Sequence, residues 1–334
     1  MVAFPRHAGT LHVLVAIMAT PLAAATPPPL EGINLAAERA AIARFQDHDQ
    51  RLQDMGWRLV RGNAAFCPQV IPSIGLQLQD AASYGRPEIA RAALGLTGDF
   101  AVQTVAAGSP AQQAGSLTRN REITRLERFD PNGWPASAQL DWQRLARAHD
   151  HITAMLTDHG GIAIGFADGA AVRVQPALVC ATRFELMGEG TAAVADGTRV
   201  VIGIEAPGFA DDDAMFAAML AHELAHNLLG HAAWLDRKGR AARQIRRTER
   251  EADRLMPWLL ANAGFAPEVA VGFMQAWGPR LPARRLISPT HDSWTRRVQT
   301  IAAELPLIAA ARAAEGQADW WRHFRREIAP DDGG

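Results

Sequence analysis

The sequence predicts an α+β fold: a mostly helical domain with a small β-sheet, interrupted by a smaller mixed α/β module. Three observations carry this. Apolar residues recur at helical spacing near the start (Ile42, Phe45, Leu52, Met55, Leu59) and again beyond residue 211. Between these regions, from 68 to 177, short alternating apolar runs are separated by Gly and Pro, the texture of strands and turns. The only two cysteines, Cys67 and Cys180, bracket that middle stretch.

A chain of 334 residues is long enough for two domains with a sizeable core. A formal net charge of −1 gives no reason to expect nucleic acid or a membrane surface as partner. Residues 1–25 read as a signal peptide. Arg6 and His7 precede an apolar core at 11–18, and Ala23, Ala24 and Ala25 offer a cleavage site. An exported, periplasmic protein is therefore expected. No later apolar run reaches the ~18 residues of a membrane span, so no span is expected once the signal is removed. Residues 26–33, with Pro27, Pro28 and Pro29, read as a tether. In an oxidising compartment a Cys67–Cys180 disulfide is the simpler expectation.

Taken in order, residues 34–61 form an amphipathic helix capped by Asn34 and ending near Gly62 and Asn63. Residues 74–78 and 100–106 alternate as strands. The run Gly108-Ser109-Pro110-Ala111-Gln112-Gln113-Ala114-Gly115 turns a strand into a short helix, and 121–126 is the next strand. A helix follows over 137–158. Residues 162–166 and 171–174 then form a hairpin around Asp168-Gly169. The eight-residue run and this element order resemble PDZ domains, although Asn120-Arg121 stands where they carry Gly-Asp. The resemblance implies a PDZ-like insert at 68–177 that captures a peptide tail or partner protein as an added strand. A β-rich insertion without a ligand is the alternative. An inserted module needs its two ends close together, and a disulfide between them would fix it to its host, which then comprises residues 34–67 and 180–330.

After the insert, 182–187 alternates as a strand, and 192–202 reads as strand, Asp-Gly turn, strand. Asp211, Asp212 and Asp213 cap and charge the start of a helix running to about 236. That helix carries His222-Glu223-Leu224-Ala225-His226. On a helix, residues i and i+4 share a face, so His222 and His226 can present two imidazoles to one ion with Glu223 beside it. A catalytic zinc needs a third protein ligand and an open position. His231, Glu249 and His291 are the candidates. The metzincin spacing, with a third His six residues after the second, does not fit, because His231 lies five after His226. Glu249 opens a helical run ending near Gly264 and shares its face with Asp253, so one carboxylate can bind metal while the other orients a liganding His. Glu251 points elsewhere. Residues 298–308 read as helix, followed by Trp320, Trp321 and a frayed tail in which Asp331 and Asp332 are solvated.

The combination of His222-Glu223-x-x-His226 with Glu249-x-x-Ala252-Asp253 resembles the HtpX / CAAX-prenyl-protease-like family of zinc metallopeptidases, in particular its secreted bacterial branch with a PDZ-like domain. The resemblance implies a gluzincin-type, zincin-like domain holding one Zn2+ per chain through His222, His226 and Glu249. It implies Glu223 as the base and Asp253 as the residue that orients a His. Zinc peptidases of this architecture pair substrate main chain with a sheet edge beside the metal, a role that falls to the 192–204 hairpin; an ordinary core hairpin is the alternative. The family often carries Thr-His-Pro with an Arg six residues after the His. Thr290, His291 and Arg297 match, while Asp292 replaces the Pro. His291 then latches the zinc or meets the transition state, and Arg297 stabilises an oxyanion or holds a carboxylate. The expected function is an endopeptidase acting on exported or envelope polypeptides. A catalytically latched or vestigial peptide-binding, chaperone-like protein is the alternative.

Overall fold

The computed structural model describes residues 30–136, 140–280 and 290–328. The signal peptide and most of the tether, and the acidic residues at 331–332, lie outside them. Helix α1 (Leu35–Gly62) is capped as its sequence dictates: the Asn34 side chain accepts from the Ala37 N–H at 3.1 Å. Its second half buries Leu52, Met55, Leu59 and Val60 in the larger of two main hydrophobic cores.

The chain leaves this core through Cys67, which is disulfide-bonded to Cys180. Strand β1 (Val70–Ser73) starts the middle region, followed by β2 (Leu76–Asp80), α2 (Pro87–Leu94), β3 (Phe100–Val105), α3 (Pro110–Gln113), β4 (Ile123–Leu126) and α4 (Trp142–His159). Strands β5 (Ile162–Phe166), β6 (Ala171–Val174) and β7 (Ala177–Cys180) complete it. β2 pairs with β3, and β4, β5 and β6 form an antiparallel meander. Their inward residues, with Ile152 and Leu156 of α4, form a second core drawn from residues 74–174. β1 pairs antiparallel with β7, Val70 opposite Cys180, so the strands entering and leaving this region lie side by side at the disulfide.

The rest of the chain builds on the first core. Strands β8 (Arg183–Met187), β9 (Ala193–Ala195) and β10 (Arg199–Gly203) form a sheet in the order β8-β10-β9. β10 runs parallel to β8 and antiparallel to β9, leaving β9 at an edge. Helices α5 (Asp213–Leu228), α6 (His231–Lys238), α7 (Ala242–Asn262), α8 (Val269–Trp277), α9 (Trp294–Ala302), α10 (Leu305–Glu315) and α11 (Trp320–His323) follow. α5 packs along α7, burying Phe216, Leu220, Leu224, Leu255 and Trp258. The coarse expectation of an α+β chain with small sheets holds.

Three local expectations need correction. The helix expected to run from 211 to about 236 is two, because Gly230 adopts φ 67°, the left-handed region that suits glycine, and turns the chain between α5 and α6. α7 begins well before Glu249, so Glu249 and Asp253 sit in its middle turns. The end of the chain is not frayed through residue 328: Trp320 and Ile328 are each 2% exposed. The Trp320 indole N–H donates to Asn63 Oδ1 at 3.1 Å, and that oxygen also accepts from Asn262 at 3.0 Å. The Asn63 amide donates in turn to the carbonyls of Leu59 and Leu259. A fully buried carboxamide is tolerable only when satisfied in this way, and here it joins α1, α7 and α11.

Candidate metal centre

Three side-chain atoms converge between α5 and α7. His222 and His226 come from one face of α5, and Glu249 reaches across from α7. His222 Nε2 lies 3.3 Å from His226 Nε2 and 3.4 Å from Glu249 Oε2, and His226 Nε2 lies 3.6 Å from Glu249 Oε1. Ligands about 2.0–2.2 Å from a tetrahedral zinc are separated by roughly 3.3–3.6 Å, so the spacing fits that ion. The chemistry agrees. Two imidazole nitrogens facing one another need a proton or a cation between them, since both cannot act as acceptors. These residues could hold a metal ion.

The surrounding charge favours a cation. Burial works against charge on His222, but Asp253 and Glu249 overcome it and hold the imidazole up to about 10. Glu249 is itself buried, yet its contacts with His222 and His291 keep it well below the usual carboxylate range. Burial, with His222 and His231 nearby, pushes His226 down to about 3. Burial raises Glu223 to about 7, partly offset by the His222 charge. A carboxylate poised near neutrality beside a cation site is suited to moving a proton.

Asp253 lies one turn beyond Glu249, with Oδ1 3.1 Å from His222 Nδ1, although off the line of a good hydrogen bond. Arg297 grips both Asp253 oxygens, at 2.6 and 2.7 Å. Of the two roles left open for Arg297, the structure places it on a carboxylate. His291 Nε2 lies 3.0 Å from Glu249 Oε2, and its Nδ1 lies 2.9 Å from Thr290 Oγ1; it sits on the site without joining the three converging atoms. Asp292, where the family pattern has Pro, pairs with Arg250 of α7 at 3.0 Å and so anchors the His291 segment.

Sequence reasoning missed two supports. His231 was weighed only as a ligand; its Nδ1 lies 3.0 Å from His226 Nδ1 and its Nε2 lies 3.1 Å from Glu251 Oε2. Asn227 accepts the Gly197 N–H at 2.7 Å and donates to the Arg199 carbonyl at 3.0 Å, tying α5 to the β9–β10 turn. No sequence signal pointed to Asn227. His231 did carry one, being a third His close to the motif.

Among the described residues a cleft of about 660 Å³ opens over the site. β9 forms one wall, and Met219, Phe273, Met274 and Trp277 give it an apolar side. A smaller space of about 80 Å³ lies among α1, α4, the start of β8 and the β1–β2 segment, and His149 Nε2 of α4 accepts the Leu78 N–H of β2 at 3.4 Å. No helix among the described residues is long and apolar enough to cross a membrane. Compared with known proteins, the chain matches no protein-family model, no curated protein and no solved structure.

Proposed function

We propose that the protein is a zinc-dependent endopeptidase of exported polypeptides, similar to the HtpX / CAAX-prenyl-protease-like family. The observation that carries this is the convergence of His222, His226 and Glu249 beside a Glu223 raised to about 7. His222, His226 and Glu249 are the ligands of one Zn2+. A zinc ion held there supplies a Lewis acid that makes water nucleophilic near neutral pH. Glu223 takes the proton as water attacks the peptide carbonyl and returns it to the departing amine. Asp253, fixed by Arg297, lies beside the second ring nitrogen of His222 and would hold the imidazole with Nε2 available to a metal. An extended substrate lies along β9, whose outer edge offers backbone groups in line with the site.

The disulfide supports an oxidising compartment, and we assign the protein to the periplasm on that basis together with the signal-like start. The middle region is a PDZ-like insert on its element order. Peptide capture beside β2 requires α4 to move, because His149 of α4 already takes the Leu78 N–H of β2.

The deciding experiment is Glu223→Gln. It should bind one zinc per chain and cleave casein about 10²–10⁴-fold more slowly than wild type. Casein hydrolysis at the wild-type rate would sink the assignment. A second reading, a zinc protein held shut or vestigial, is favoured by His291 seated on Glu249. Zinc binding without turnover in both wild type and His291→Ala would support it.

A further inference from the structure

One buried acid on α7 has no part in the metal ligation proposed above. Glu251 is fully buried and faces away from Glu249. Its Oε2 accepts from His231 Nε2 at 3.1 Å and from Arg326 Nη2 at 2.9 Å. Its Oε1 accepts the backbone N–H of Glu327 at 2.5 Å and of Ile328 at 2.8 Å. Four donors on one carboxylate make a rigid junction.

The junction settles where the ring protons lie. An ionised carboxylate can only accept, so His231 carries its proton on Nε2 and offers the Nδ1 lone pair. That lone pair faces His226 Nδ1 at 3.0 Å, so His226 carries a proton there and keeps its Nε2 lone pair free. His226 Nε2 is the atom directed at His222 and Glu249. The outer end of this chain of bonds is segment 326–328. It is held to α7 by Arg250 on the Glu327 carboxylate at 2.8 Å and by Arg247 on the Glu327 carbonyl at 2.6 Å. Arg326 also donates to the Leu229 carbonyl, at the end of α5, at 2.9 Å. Ile328 packs with Trp234 and Leu235 of α6.

We propose that residues 326–328 form a positioning strap for the metal site, in which Arg326 and the two backbone N–H groups fix Glu251, Glu251 fixes His231, and His231 sets the tautomer and aim of His226. This rests on the zinc reading of the site. Zinc affinity and seating of the strap are then coupled, and such coupling acts equally in both directions.

The test uses the full chain and zinc alone as the probe. Arg326 is a quarter exposed, so Arg326→Ala should fold; competition against a chelating chromophore should show zinc bound about 3–10-fold more weakly, at or below the low end of outer-partner effects. Arg322→Ala, in the same tail but with its side chain 70% exposed, should leave affinity unchanged. In wild type, zinc should slow hydrogen exchange at the Glu327 and Ile328 amides, a response that a merely structural tail would not give. Zinc affinity within twofold of wild type in a folded Arg326→Ala, or exchange at 327 and 328 indifferent to zinc, overturns the strap. If Arg326→Ala fails to fold, the exchange experiment decides alone. Wild type that binds no zinc overturns the metal reading, and the strap with it; that outcome is distinct from wild type and variant binding zinc equally.

Discussion

His222 and His226 face the same point from one helix, yet the two rings are held by different means. His222 leans on a short ionic arm: Asp253, gripped by Arg297 from α9, 44 residues away. His226 leans on a longer relay of neutral and charged groups, His231 and then Glu251, which ends on Arg326 and two backbone N–H groups, 75 to 77 residues from Glu251. The first arm concentrates its cost in one buried charge pair. The second spreads it over several hydrogen bonds and ties the site to the end of the described chain. The difference teaches that one imidazole is set by charge, the other by shape and proton placement.

The harshest way to break this comparison is Asp253→Ala. It leaves Arg297 as an uncompensated buried charge, which costs about 3–5 kcal/mol, and frees the His222 ring, weakening zinc about 10–100-fold. Urea melts and zinc titration measure both; a near-wild-type melt would show that Arg297 finds another partner. Glu251→Gln removes the charge but nearly keeps the shape. A loss of about 1.5–3 kcal/mol is expected, with a zinc deficit near tenfold. The supporting residues of the two arms do not touch, but both arms end on imidazoles that meet at Glu249; losses in log affinity that add in the double variant would show independent arms, and strong non-additivity would show one network.

A control lies outside both arms. Burial, reinforced by Arg183 and opposed by Asp150, pushes His149 down to about 4. Its folded value is below the unfolded value of about 6.5, so its contribution to stability is full above pH 6.5 and is lost as pH falls toward 4. Replacing it as His149→Gln, which can still accept the Leu78 N–H, should flatten stability over that window with or without zinc. An unchanged acid slope would assign it to other groups. The mildest change is Asn227→Ala, which releases the β9–β10 turn without touching either arm. Zinc affinity should stay within about twofold while KM for casein rises several-fold, the mark of lost substrate positioning.

The group that could hold a metal was legible because both parts are local patterns on helices. His222 with His226, and Glu249 with Asp253, are each four residues apart, and helical geometry alone puts each pair on one face. The disulfide was legible by counting, as there were two cysteines and one pairing. The relay was not. It depends on Gly230 turning the chain so that His231 folds back beside His226, and on a tail that carries no repeating pattern. Arg297 could be placed near the site but not assigned a role, since spacing does not say which oxygen a guanidinium meets. β1 and β7 were missed because a four-residue strand beside a cysteine has too little alternation to register.

Asn63 has a consequence for how the chain acquires its fold. It joins the last turn of α1 to Trp320 across 257 residues. Contacts of such separation form late, because the intervening chain must be ordered first. A polypeptide delivered N-terminus first would leave α1 without its final partner until residue 320 had arrived. Over that interval the buried Asn63 oxygen would lack the indole N–H that completes its partners, so the last turn of α1 would be tied to α7 alone.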